Sequence, residues 1–252
     1  MAIVAITPRF FQQQSNAAPK ASTGQSLCPE HLPYGMPAAN QLIERDIYCL
    51  SANNETKFAD WVAYRLDRQT ITGSADQERV WQPDPDLADS ETLEPNDYDG
   101  AAKALGTDRG HLAPLASFRG EDWQQVNYLS NIVPQAADLN RGAWKNLEDH
   151  VRDLVRQHGE VFIITGPSYL EPFGKLPNAN ERHQIPGGFW KVVMYGEKIE
   201  SYYFGQDTPG DADFRLGRTQ LEEVSAWSGL DLSFLLSRYQ EGGVPDSIEQ
   251  IL

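Results

Sequence analysis

From residue 138 to residue 159 the apolar residues fall at helical spacing. Ala143, Trp144, Leu147, Val151, Leu154 and Val155 recur three and four apart. They line one side of a helix, and that side must be buried against something. Asp138 is a good N-cap and Gly159 a natural terminator, so the spacing predicts one helix over 138–158. Short apolar runs on either side supply what it packs on. Residues 46–52, 57–66, 126–133, 161–166, 189–195 and 199–204 read as strands. Asn53-Asn54-Glu55-Thr56 and Gly196-Glu197-Lys198 read as hairpin turns, and Gly120-Glu121-Asp122 as a turn. Thr219 with Glu222 reads as a capping box opening a helix that ends near Gly229. Many strands with only two or three helices imply an α+β fold.

One segment before the long helix carries chemistry. In Asp108-Arg109-Gly110-His111 the arginine and histidine stand two apart on an expected strand end, so both point to one face. Gly110 permits a tight turn or a close backbone approach. Asn140 and Glu148 follow on the helix, a little over two turns apart and about 80° round its axis if the helix is continuous. A cation, a base, an amide oxygen and a carboxylate are the parts that hydrolyse a phosphodiester beside a metal ion. By strand parity over 126–133, Asn127 and Asn131 share a face and could orient the loop or contact phosphate. Asp108 is expected to brace the turn or fix a neighbouring side chain.

The 252 residues fit one large domain or two small ones. No apolar run is long enough to span a bilayer. A net charge of −15 argues against nucleic acid only for the surface as a whole. Arg79, Arg109, Arg141 and Lys145 could form a positive cleft on an acidic body. Cys28 and Cys49 could pair in an oxidising compartment or remain as two thiols, and no zinc-ligand spacing occurs. Residues 1–25 read as a flexible polar tail, with an apolar opening too short for a signal-peptide core. The acidic stretch 83–100 reads as a solvated loop that packs on the core through Tyr98. His31, His150 and His158 read as exposed, and His183 and Lys175 receive no role.

The text DRGHLAPLASF followed by NYLSNIVPQAADLNRGAWKNLED, over residues 108 to 149, resembles the DNA/RNA non-specific endonucleases. These are the Serratia-type nucleases of the ββα-metal, or His-Me finger, group. The likeness continues through KFADWVAYRL (57–66), ITGP (164–167), GKLP (174–177), IPGGFWKVV (185–193) and DTPGDADF (207–214), covering roughly residues 45 to 235. It implies a mixed, mostly antiparallel sheet flanked by helices, with a ββα-metal catalytic motif in a single domain over 26–252. It implies hydrolysis of DNA and RNA to 5′-phosphorylated products with Mg2+, for which Mn2+ could substitute. His111 would be the general base and Asn140 the metal ligand. Glu148 would hold metal-bound water, and Arg109 and Arg79 would stabilise charge on the phosphate. Asn127, Asn131 and Arg141 would contact substrate. Secretion or a periplasmic location, partners limited to nucleic-acid phosphates and an inhibitor or immunity protein, and no membrane association would go with it. The rival readings are a nuclease toxin or effector with an immunity partner, a catalytically silent nucleic-acid-binding relative, an endonuclease G-like enzyme, and a small-molecule phosphatase. Oligomeric state is left open.

Overall fold

The computed structural model describes residues 26–74, 78–120 and 122–242. The expected N-terminal tail, Glu121 of the expected turn and the last ten residues lie outside this set. Its frame is one sheet. Strands β1 (Gln41–Glu44), β2 (Cys49–Ala52) and β3 (Ala59–Asp67) run antiparallel in sequence order. β3 then pairs with β6 (Glu160–Pro172), which pairs with β7 (Pro186–Tyr195) and β8 (Lys198–Gly205), again antiparallel. Short β9 (Arg218–Thr219) and parallel β10 (Gln240–Glu241) finish the β8 edge. A separate two-stranded sheet joins β4 (Thr107–His111) to β5 (Ile132–Ala136). The helices are α1 (Ala101–Leu105), α2 (Ala137–Arg141), α3 (Ala143–His158) and α4 (Leu221–Ser228).

Both faces of the large sheet are covered, and the pleat sorts the side chains between them. Val62, Tyr64 and Leu66 of β3, with Phe189 and Val193 of β7, join the core beneath α3. Trp61 and Ala63, with Trp190, Val192 and Met194, enter a second core with Leu221 and Val224 of α4. The stripe read from sequence is what α3 buries: Trp144, Leu147, Val151, Leu154 and Val155 are at most 5% exposed. Each contributes on the order of 1.5–3 kcal/mol by burial.

Several expectations change. The helix is broken: α2 and α3 meet at Gly142, where a Cβ would lie 2.4 Å from the Gly210 carbonyl oxygen and 2.6 Å from that of Asp138. The angular relation of Asn140 to Glu148 read from a continuous helix therefore does not apply, and Asp138 sits inside α2 instead of capping it. Residues 126–133 are not one strand. Two 3-10 turns, Trp123–Asn127 and Leu129–Asn131, precede β5. Asparagine side chains that bond nearby backbone compete with a strand ladder, and Asn131 does so. The capping box of α4 lies one residue on, between Gln220 and Glu223. The acidic loop is only partly solvated. Asp84 is buried against Arg45 and Ser130, Asp97 caps a 3-10 turn, and Tyr98 packs on the core as expected. His31 and His183 are buried with backbone partners, and His150 meets Glu200 at 3.2 Å. Cys28 and Cys49 are joined in a disulfide that fastens the chain before β1 to β2.

Candidate active site

The β4–β5 hairpin carries the first half of the site. Its register sets Arg109 opposite Pro134 and His111 opposite Ile132. Gly110 is needed there: a Cβ would come within 2.6 Å of Gln135 Oε1 and 3.1 Å of the Val133 carbonyl oxygen. Arg109 and His111 do share a face, and Trp81 is their common neighbour. The Trp81 ring lies 5.4 Å from the His111 ring and 5.4 Å from the Arg109 guanidinium carbon. Tyr98 flanks Arg109 at 5.3 Å, and Nη2 donates to the Pro95 carbonyl at 2.7 Å. The guanidinium is thus fixed by two aromatic rings and one backbone oxygen, which lock its direction.

His111 is half-buried, and its Nε2 lies 3.1 Å from Asn127 Oδ1. An amide oxygen can only accept. The Nε2 proton is therefore held by Asn127, and Nδ1 keeps the lone pair. Burial pushes the imidazole pKa down to about 4, the Asn127 bond opposes this, and the positive charge of Arg79 adds to the lowering. The ring is a neutral base across the physiological range. Asn127 is fully buried and lies at the end of a 3-10 turn, so it meets His111 by loop geometry and not by strand parity. Asn131 is also fully buried, and its amide is spent on the Ala113 N–H and on the Ala113 and Val126 carbonyls. It staples the loop after His111 and is not available to substrate, which corrects the contact expected of it.

Asp108 organises the second half. Its carboxylate accepts from Asn140 Nδ2 at 2.9 Å and from Arg141 Nε and Nη2 at 2.8 and 2.6 Å. Because the carboxylate takes the NH2 end of the amide, Asn140 Oδ1 is turned outward, and no described residue donates to it. These bonds also hold the Asp108 carboxyl below the usual range although its burial raises it. Glu148 is half-buried on α3 and forms no hydrogen bond or ion pair with any described residue. Burial raises its pKa, while Lys191 and Arg152 pull it back.

Two unspent oxygen donors, one neutral and one carboxylate, suit a hard divalent cation. Among the described residues no group of three or more His, Cys, Asp or Glu could enclose a metal ion. A cation held here would keep most of its water, as magnesium readily does. Asn140 Oδ1 could contact such a cation directly and Glu148 could accept from its bound water.

The expected positive cleft is mostly neutralised. Arg141 is bound to Asp108, Lys145 to Asp149 at 2.7 Å, and Arg109 is clamped. Arg79 is exposed and forms no ion pair with a described residue. Trp81 is the participant that sequence reasoning passed over. Its only signal was its position two residues after Arg79.

The family model for DNA/RNA non-specific endonuclease matches residues 29–234. A protein called nuclease from Serratia marcescens is 38% identical, with 99% of this chain and 92% of that protein covered. Mitochondrial endonuclease G from Homo sapiens is 32% identical over 78% of this chain and 71% of its own length. A solved structure of EndoG in complex with EndoGI superposes with a TM-score of 0.73 at 24% identity, covering 87% of this chain and 97% of that one. This last likeness concerns the fold.

Proposed function

The chain belongs to the DNA/RNA non-specific endonuclease family, and from that premise we propose that it cleaves phosphodiester bonds of DNA and RNA by water attack, leaving 5′-phosphates. The reading rests on one observation: Asn127 holds the proton on Nε2 of a neutral, half-buried His111. The lone pair on Nδ1 takes a proton from water, the water oxygen attacks phosphorus, the bond to the 3′ oxygen breaks, and the departing oxygen takes a proton from solvent water to leave as a hydroxyl. The depressed pKa keeps that lone pair free at neutral pH. Arg109, fixed in direction, meets the negative charge that grows on the phosphoryl oxygens without reorganising. Arg79, exposed and with no ion pair to a described residue, adds positive charge near His111. Arg141 is exposed and able to reach a neighbouring phosphate while tied to Asp108.

Nucleases of this family work with a divalent metal ion. The cation, which we read as Mg2+ with Mn2+ able to substitute, supplies positive charge to the phosphate and the departing oxygen when bound. Asn140 Oδ1 would hold it directly and Glu148 through its water. Contacts to phosphate and sugar in place of base edges account for a lack of sequence preference.

We read residues 26–252 as one catalytic domain of a secreted or periplasmic enzyme, a reading supported by the Cys28–Cys49 disulfide. Among the described residues no helix is long and apolar enough to cross a membrane. An inhibitor protein is a further partner we propose, by analogy with the EndoG complex. The test is digestion of plasmid DNA and of RNA with and without EDTA, beside His111→Ala. Cleavage of both polymers that EDTA abolishes supports the reading. Turnover that survives His111→Ala in a folded protein removes His111 from the mechanism.

A further inference from the structure

The site face of the sheet carries a buried cation that the mechanism above does not use. The pleat of β7 sets Lys191 between Phe189 and Val193, facing α3, and its side chain is fully buried at 0% exposure. Its Nζ lies 3.4 Å from the Tyr64 hydroxyl and 4.3 Å from the centre of the Trp144 ring. It forms no ion pair with any described carboxylate. An ammonium group in that setting costs several kcal/mol of desolvation, offset only in part by an aromatic face. Such a group needs a negative partner nearby.

Glu148 is four residues after Trp144 on α3, so the two side chains are neighbours on one side of the helix. The ammonium under the indole and the Glu148 carboxyl, which accepts from no donor among the described residues, therefore face the same side of α3. The other cations near Glu148 are committed. Arg152 gives Nη1 to Ser117 and Nη2 to Asp149, and Lys145 gives its ammonium to Asp149 at 2.7 Å.

We infer that Lys191 is a positioning residue for the proposed reaction, the buried counter-charge that holds the Glu148 carboxylate ionised and free to accept from the water of a bound cation. The pKa directions agree: burial lowers Lys191 and raises Glu148, and each is the largest charge opposing that shift in the other. This inference rests on the reading of Glu148 given above, and two measurements separate them.

The first needs neither metal nor substrate. Urea unfolding in EDTA compares the wild type, Lys191→Met, Glu148→Gln and the double variant. Lys191→Met should lower the midpoint in the wild type and lower it less, or raise it, beside Glu148→Gln. Additive shifts overturn the pairing. If Lys191→Met does not fold, the Lys191 ammonium is titrated by NMR in the wild type and in Glu148→Gln, where it should lose its proton at lower pH. An unmoved titration overturns the pairing equally. The second measurement is the Mg2+ concentration for half-maximal cleavage. It should rise ~10-fold in Lys191→Met, within the span usual for groups behind a metal site, and recover toward wild type in Lys191→Arg. Coupled unfolding with an unmoved magnesium requirement overturns the positioning role while leaving the charge coupling between the two residues intact.

Discussion

The two faces of the large sheet are both packed with tryptophan, yet they treat its polar atom differently. On the α4 face, Trp61 gives its indole N–H to the Ala38 carbonyl and Trp190 gives its own to that of Pro167, each at 3.0 Å. On the α3 face, Trp144 is as deeply buried and its indole N–H has no partner among the described residues; at the two-stranded sheet and the turns before it, Thr107 Oγ1, Arg109 Nε and Asn127 Nδ2 likewise have none. An orphaned buried donor costs about 1–3 kcal/mol. Unpartnered polar atoms occur on the α4 side too, at Ser201 Oγ, so the faces differ in how they treat the tryptophan indole and not in polar satisfaction as a whole. The α3 face is the one that carries the groups proposed for the reaction, and sites of that kind break local rules that the rest of a fold obeys.

The comparison is sharpest where one face should lose activity and the other only stability. The largest effect expected is on turnover. His111→Ala should cut kcat by ~10²–10⁴-fold with the thermal midpoint nearly unchanged, read by nuclease assay beside circular dichroism. Next is Trp190→Ala, on the α4 face. It should cost about 3–5 kcal/mol in urea unfolding while activity per folded molecule stays at the wild-type level. A fall in kcat of the folded fraction would erase the distinction between the faces.

Reducing Cys28–Cys49, which closes a loop of sequence separation 21, should cost about 3 kcal/mol, again without touching kcat. Asp108→Ala releases the Asn140 amide and should raise the magnesium concentration needed for half-maximal cleavage by ~10–100-fold, seen as a shifted metal titration. An unshifted curve would mean that Asn140 needs no bracket. The smallest effect is in pH. His111 is neutral when folded and has a pKa lowered to about 4, so kcat/KM should hold as pH falls through 6.5 and decline only near 4. The same depression means that the unfolded chain binds the proton first. Folding stability from this group is complete above 6.5 and is lost as pH falls from there toward 4. An acid limb centred at 6.5 would place the ring in water.

Period-based readings held where a single element decided the outcome. The stripe of α3 was legible because helical spacing is a local property, and the shared face of Arg109 and His111 because strand parity is. The failures came where another part of the chain intervened. Gly142 breaks the helix because the Gly210 backbone lies against it, and residue 210 cannot be read from residue 142. Strand parity puts Asn127 and Asn131 on one face, but the turns that aim one at His111 and spend the other on Ala113 follow from packing against β4 and β5.

The strands β2, β3, β6, β7 and β8, the buried helix side, the kinds of group needed for phosphodiester chemistry and the family resemblance lay in the amino-acid text, since each depends on residues close in the chain. Which nitrogen of His111 keeps its lone pair, which end of the Asn140 amide the Asp108 carboxylate takes, and which of the candidate arginines is tied to a carboxylate were decided only by the fold. These are matters of a few ångströms between residues up to tens of positions apart, and hydrogen bonds and charge pairs are decided at that range.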